Sequence, residues 1–352
     1  MAYTTIDDPS AHFQIATYSG SGGTGGHAIV NNGNSDLQPD VVWIKQRTVA
    51  SDHRLMDSTR GGNKMLEPNT TEVEATYGYI QSFDTDGFTL GYSDTSFDGY
   101  GRTYVAYQWK ANGGTTSTNT DGSITSTVQA NQDAGFSIVT YTGTGANATI
   151  GHGLGAKPAF ILTRSRTIVR DWIVRHHRSS AAASYYAWDF NNTGSGLTSG
   201  VHWTTTEPTT SVFSVGTASN TNQNTNTFVA FCFAEVKGFS MFGTYRGNNS
   251  ANGPFVYTGF KPAFLIVKKG GQDWILYDAA REPTNHMYRY LKVGSDAAEN
   301  ATSSSSEIDF LSNGFKLREG NSHTNASGSR YQYYAFAENP FITSTGIPTT
   351  AR

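Results

Sequence analysis

Gly259-Phe260-Lys261-Pro262-Ala263-Phe264-Leu265-Ile266-Val267-Lys268, followed across a glycine-rich turn by Asp273-Trp274-Ile275-Leu276-Tyr277, reads as two joined β-strands. The same pair occurs earlier as Ala156-Lys157-Pro158-Ala159-Phe160-Ile161-Leu162 with Asp171-Trp172-Ile173-Val174. A more diverged copy stands earlier still, Gln38-Pro39-Asp40-Val41-Val42-Trp43-Ile44-Lys45 with Asp52-His53-Arg54-Leu55. One strand pair met three times marks a repeat architecture, and the rest of the chain is read from it.

Outward from each pair the flanks also match. Each copy opens on an aromatic strand (Phe13 to Tyr18, Phe136 to Tyr141, Phe239 to Tyr245) that runs into a glycine. Each closes on another, ending at Trp109, Phe233 and Phe336. The spans from opening to closing aromatic are nearly equal, about 97 residues. In the first closing strand Tyr107 and Trp109 share a face by the two-residue strand period. Short β-branched or aromatic runs bounded by Gly, Asn, Asp and Ser predict an all-β chain. The expected fold is three homologous antiparallel β-sandwich or jelly-roll-like units of about 100 residues. Helical periodicity is confined to Asp296–Thr302, which suits a turn or two.

The expected organisation is an N-terminal arm plus first unit over 1–111, a polar linker or arm over 112–134, a second unit over 135–237, a third over 238–341 and a tail over 342–352. The 112–134 stretch is rich in Gly, Ser, Thr and Asn, a flexible composition, although Ile124 and Val128 alternate in a way that lets part of it join a sheet. Each unit is long enough to close an interior of its own.

Over 352 residues charged side chains make up 15% and aromatics 13%, so the chain has ample apolar mass for packed cores. A net charge of −3 provides no broad attraction for nucleic acid or an anionic membrane. The N-terminus lacks the pattern of a signal peptide and no apolar run is long enough for a spanning helix. Cys232 is the only cysteine, which excludes an intramolecular disulfide and reads as a small buried thiol within Phe228–Phe233.

The candidate chemistry is sparse. Asp84-Thr85-Asp86-Gly87 resembles the start of a calcium loop, but no bidentate Glu follows, and a tight turn before a Gly-Phe strand explains it. Asp57 with Arg60, and Asp278 with Arg281, recur at one place and suit a local ion pair; the second unit has His176 and Ser179 there. Glu235 and Glu338 each end a Phe-Ala-Glu strand, yet a glycosidase needs two carboxyls across one cleft, and Ala111 stands at that place in the first unit. His176-His177 is too closely spaced for a metal pair, and His27, His152, His202 and His286 are isolated in polar loops. No catalytic, cofactor or metal residue is assigned. Aromatics among small polar residues are the better lead for binding, although some of them must belong to the cores: Tyr92, Phe97, Tyr100, Tyr185, Tyr186, Trp188 and Trp203.

Several strings carry a further resemblance: Asp7-Asp8-Pro9-Ser10-Ala11-His12-Phe13, Asp121-Gly122-Ser123-Ile124-Thr125-Ser126-Thr127-Val128, Gly151-His152-Gly153-Leu154-Gly155, Gly253 to Pro262, and Gly346 to Arg352. With these the chain resembles, over essentially its whole length, a three-repeat family of uncharacterised virion proteins common in tailed phages of marine bacteria and cyanobacteria. The resemblance implies a non-enzymatic protein of the particle surface, made in the bacterial cytoplasm, with a tail-fibre or receptor-binding role. It implies other virion proteins, further copies of itself (a trimer foremost) and a host-surface glycan or protein as partners. A head-decoration or cement protein whose polar arms lace its neighbours is the alternative, and an enzyme trimming host polysaccharide is a third reading.

Overall fold

Strands form where β-branched and aromatic residues lie between glycine- and asparagine-rich turns, and they pair antiparallel throughout the named sheets. The structure, a computed structural model, describes residues 2–23, 25–77, 79–91, 94–179, 186–197, 200–302 and 306–349. The first segment carries β1 (Phe13–Ser19), β2 (His27–Val30), β3 (Val41–Gln46), β4 (Arg54–Asp57), β5 (Lys64–Leu66), β6 (Ala75–Thr76), β7 (Ile80–Asp84), β8 (Gly87–Leu90) and β9 (Thr103–Trp109). The second carries β10 (Ser117–Asn119), β11 (Ser126–Asn131), β12 (Phe136–Thr142), β13 (Ala148–Gly151), β14 (Phe160–Ser165), β15 (Ile173–His176), β16 (Trp188–Asp189), β17 (Val212–Val215) and β18 (Thr227–Phe233). The third carries β19 (Ser240–Arg246), β20 (Phe255–Tyr257), β21 (Phe260–Lys268), β22 (Ile275–Asp278), β23 (Leu291–Lys292), β24 (Ile308–Leu311), β25 (Gly314–Leu317) and β26 (Arg330–Pro340). The fold is all-β. Asp296–Thr302 is not helical; the one α-helical turn among the described residues is α1 (Ser219–Asn222), before β18.

Three large sheets have the orders β1-β9-β3-β4-β5-β6, β10-β11-β12-β18-β14-β15-β16 and β19-β26-β21-β22-β23. In each, the closing strand lies between the opening strand and the proline-led strand, and the next strand out is the one after Asp52, Asp171 or Asp273. Three smaller sheets, β2-β8-β7, β13-β17 and β20-β25-β24, complete the sandwiches. Between the sheets of the first segment lie Val42, Ile44, Met56, Phe88 and Tyr104. Between those of the second lie Val139, Ile161, Ile173, Phe213 and Phe228.

The opposite face of each large sheet is buried too. Trp43, Tyr107 and Trp109 from the first segment meet Phe160, Phe231 and Phe233 from the second and Phe264, Tyr334 and Phe336 from the third in one shared core. At its centre three closing aromatics form a triangle, with ring centroids 6.3 Å apart for Trp109–Phe233 and 5.7 Å for both Trp109–Phe336 and Phe233–Phe336. A small cavity of about 50 Å³, lined by apolar and aromatic side chains, lies beside them. Burial on two faces explains why β3 and β14 are buried at every position and read as continuous runs rather than alternating ones. Separate interiors are therefore only part of what holds the chain together, since the segments also share a core.

The polar stretch 112–134 is also more structured than its composition suggests. β10 pairs with β11, and β11 with β12, so it extends the second large sheet. Its start is pinned by buried Asp40, whose carboxylate accepts the N–H groups of Ala111, Gly113 and Gly114 at 2.7, 2.9 and 2.8 Å. At the other end the tail folds back on the N-terminal lead, where Ser344 N–H donates to Asp7 at 2.6 Å. No described helix is long and apolar enough to cross a membrane.

Candidate functional site

Each proline-led strand ends in a buried cation, Lys45 on β3, Arg164 on β14 and Lys268 on β21. All three reach a backbone carbonyl of another segment. Lys45 Nζ donates to Asp296 O at 3.2 Å, Arg164 to Glu72 O, and Lys268 Nζ to Asn192 O at 3.2 Å. The residues after the recurring aspartates do the same. Trp172 Nε1 donates to Glu67 O at 2.8 Å and Trp274 Nε1 to Asp189 O at 2.9 Å. His53 stands in place of the tryptophan: Trp43 Nε1 donates to its Nδ1 at 3.0 Å, so its Nε2–H faces Lys292 O at 3.2 Å. Both sets run in one sense, first segment to third, third to second, second to first. A head-to-tail contact that closes on itself in this way makes a ring, here within a single chain.

The recurring Asp–Arg pairs sit on this seam. Arg60 Nε lies 2.5 Å from Asp57 and Arg281 Nε 2.5 Å from Asp278, all four side chains fully buried. A glutamate from a loop then ties each arginine to another segment. Glu74 bridges Arg60 and Arg166, both at 2.8 Å, and Glu299 bridges Arg281 at 3.0 Å and Arg47 at 2.9 Å. Burial alone would raise the Glu299 carboxyl, but hydrogen bonds from Arg47 and Arg281 and their charges outweigh it and hold it at about 2. Glu74 and Glu299 escaped the sequence reading because irregular loops carry them, with no periodicity to flag their direction. In the second segment Arg175 pairs instead with Glu207 at 2.9 Å.

The other candidates are engaged separately. Asp84 accepts the hydroxyls of Ser82 and Thr89, both at 2.6 Å, and Asp86 accepts Leu37 N–H at 3.2 Å around a turn in which Gly87 has φ +108°. No described group of three His, Cys, Asp or Glu side chains converges to hold a metal. Glu235 lies 3.4 Å from His177 and 3.5 Å from Arg178, while Glu338 pairs with Lys261 at 2.9 Å. Lys261 and Glu338 line a cleft of about 270 Å³ between the first and third segments, with Ser10, Gln14 and Asn32. His27 Nδ1 lies 2.6 Å from Asp98, and Ser21 donates to that same carboxylate at 2.7 Å. The serine thus bonds the acid rather than the imidazole, the wrong order for a nucleophile. His176 is buried, and burial pushes its pKa far down; His152 is buried between Leu154 N–H and Thr209 O. His202 is likewise buried, whereas His286 is half exposed beside Asp309 at 2.7 Å. Cys232 is buried, and desolvation pushes its thiol up.

The aromatic lead divides. Phe97, Trp188 and Trp203 are core residues, which removes them from that lead: Trp188 lies on β16 at the edge of the second large sheet, and the irregular loops that carry Phe97 and Trp203 fold back over the sheets. Tyr186 is half-buried, Tyr100 is 86% exposed, and Tyr92 and Tyr185 lie outside the described residues. Two exposed rings that the reading missed are Phe255 and Tyr257, side by side on the edge strand β20. Their three-residue strand carries a period-two signal too short to separate an outward face from an inward one.

Comparison with curated proteins and with solved structures finds no match. A family described as "Domain of unknown function (DUF7483)" matches residues 8–340, from the first turn to the end of β26. The match takes in all three large sheets and the seam between them, and the chain belongs to that family.

Proposed function

We propose that the chain is a structural protein of a tailed-phage virion, displayed on the particle surface as a tail-fibre or receptor-binding component. The observation that carries this reading is the set of exposed rings, Tyr100, Phe255 and Tyr257, held on a body whose cores and cross-segment contacts leave the backbone little freedom. Flat aromatic rings stack on sugars or protein surfaces at small entropic cost, and the small polar residues around them supply hydrogen bonds. A protein assembled in the bacterial cytoplasm and working outside the cell also gains from stability that needs no disulfide. Its partners in this reading are neighbouring virion proteins, further copies of itself and a host-surface glycan or protein. The test is labelling of host cells by the purified, fluorescently tagged protein. Tyr100→Ala and Tyr257→Ala should together weaken labelling by about tenfold or more, and soluble host glycan should compete. Absence of labelling by the wild-type protein under all conditions rejects the reading.

A second reading is favoured by the ring of equivalent contacts. One chain that closes head to tail presents three similar faces and suits a three-fold or pseudo-three-fold position on a head, as a decoration protein. Heads lacking it would then be fragile, and the protein would be present in many copies per particle.

A further inference from the structure

Two of the small sheets, β13-β17 and β20-β25-β24, differ at one edge. β13 is covered by the chain itself: Ile124 N–H donates to Thr149 O at 3.0 Å, Thr149 N–H donates to Ser123 Oγ at 2.9 Å, and Ser126 Oγ donates to Gly151 O at 2.8 Å. Ile124 bridges Ile150 in the parallel sense. Gly122 approaches so closely that a Cβ there would lie 2.4 Å from Thr149 O. Residues 122–126 thus act as an added strand.

β20 holds the same position in the third segment, with Val256 opposite Phe315 as Ile150 is opposite Phe213. Leu317 N–H bonds Pro254 O and Thr258 N–H bonds Asn313 O, which marks the ladder positions at 254 and 258. By the alternation of an antiparallel pair, Val256 then bonds β25, and the main-chain groups of Phe255 and Tyr257 turn to the open edge. No described backbone segment or side chain meets those groups; Tyr3 reaches only the end of the strand, its hydroxyl 3.0 Å from that of Tyr257 and donating to Gly259 O at 2.8 Å. The two side chains are 45% and 51% exposed. An open edge with exposed aromatics is what proteins ordinarily cover.

We propose that β20 is a strand-addition site for an extended polypeptide segment of a partner protein, laid parallel to it as residues 122–126 are laid along β13. The occupant would place a β-branched apolar residue so that its N–H meets the Phe255 carbonyl, with small or hydroxyl-bearing residues on either side. The chain's own Gly122-Ser123-Ile124-Thr125-Ser126 is already committed to β13, so the strand comes from a different protein.

The probe is a synthetic peptide copying residues 121–127, added to the full-length protein at millimolar concentration or tethered to its C-terminus by a flexible linker. Amide hydrogen exchange at Phe255 and Tyr257 should slow by about tenfold or more, while Val256, already in the ladder, changes little. Phe255→Pro removes one outward N–H without touching the bonds of Val256; it should keep the melting temperature and abolish the protection. Protection that appears elsewhere, or nowhere, overturns the proposal. So does concentration-dependent protection of both amides without peptide, because a second copy of the chain would then hold the edge.

Discussion

Lys45 and Lys268 keep an ammonium group where almost no water reaches it. Burial pushes each down to about 8, against the attraction of nearby aspartates. Their unfolded value is 10.5, so from about pH 8 upward the unfolded chain binds more protons and stability rises with pH. Above pH 9 the buried thiol and tyrosines begin to oppose this, since their pKa values are raised by folding. Urea midpoints should therefore climb between about pH 8 and 9, and the climb should vanish in Lys45→Met/Lys268→Met. Glu299 works in the other direction. Its folded value of about 2 lies below the ordinary 4.5, so its contribution is complete above pH 4.5 and disappears as pH falls toward 2. In Glu299→Gln that acid limb should flatten. Arg281→Met leaves Asp278 buried beside the Tyr107 hydroxyl at 2.7 Å, and should cost about 3–5 kcal/mol by denaturant titration. Adding Asp278→Asn to it should recover part of that loss; an additive further loss would refute the buried-charge account.

At the scale of elements, composition misleads wherever a strand borrows its apolar partner from elsewhere. The stretch 112–134 looks like a flexible linker because Ser, Thr, Asn and Gly dominate it, yet Val128 and Ile124 are 3% and 7% exposed. They pack because β12 and β13 present edges to them, and an edge supplies hydrogen bonds to any extended backbone, whatever its side chains. Ile124→Pro deletes the N–H that bonds Thr149 O. We expect faster hydrogen exchange at Thr149 and its neighbours, with the global melting temperature lowered only slightly. Unchanged exchange there would mean that the cover contributes nothing. Trp188 and Trp203 failed in the opposite direction. Polar neighbours made them look exposed, but Trp188 stands on the two-residue strand β16 at the rim of a large sheet and loop closure carries Trp203 back onto the sheets, and no local pattern encodes either.

For the whole molecule the shared core is the decisive feature. A fragment limited to residues 112–237 would expose Phe160, Phe231 and Phe233 along one side of its large sheet, an apolar face far larger than a soluble domain tolerates. It should aggregate or lack fixed tertiary structure, whereas the full chain should melt in one cooperative transition seen alike by calorimetry and near-ultraviolet dichroism. Two or three resolved transitions would show that the segments are independent. Trp274 is fully buried and donates across the seam to Asp189 O, so Trp274→Ala should cost about 3–5 kcal/mol and lower that single transition as a whole.

Residue order alone determined that the chain is all-β and where its long strands lie, because β-branched and aromatic runs between turn residues are a local signal with a local cause. It also placed Asp57 near Arg60 and Asp278 near Arg281, since three positions along a tight turn leave little choice. Tertiary structure alone decided that both faces of the large sheets are buried, that Glu74 and Glu299 close the seam, and that β20 is left open while β13 is covered. Each of these depends on surfaces brought together from distant parts of the chain, and the free energy of such contacts is set by shape and dielectric at the meeting point.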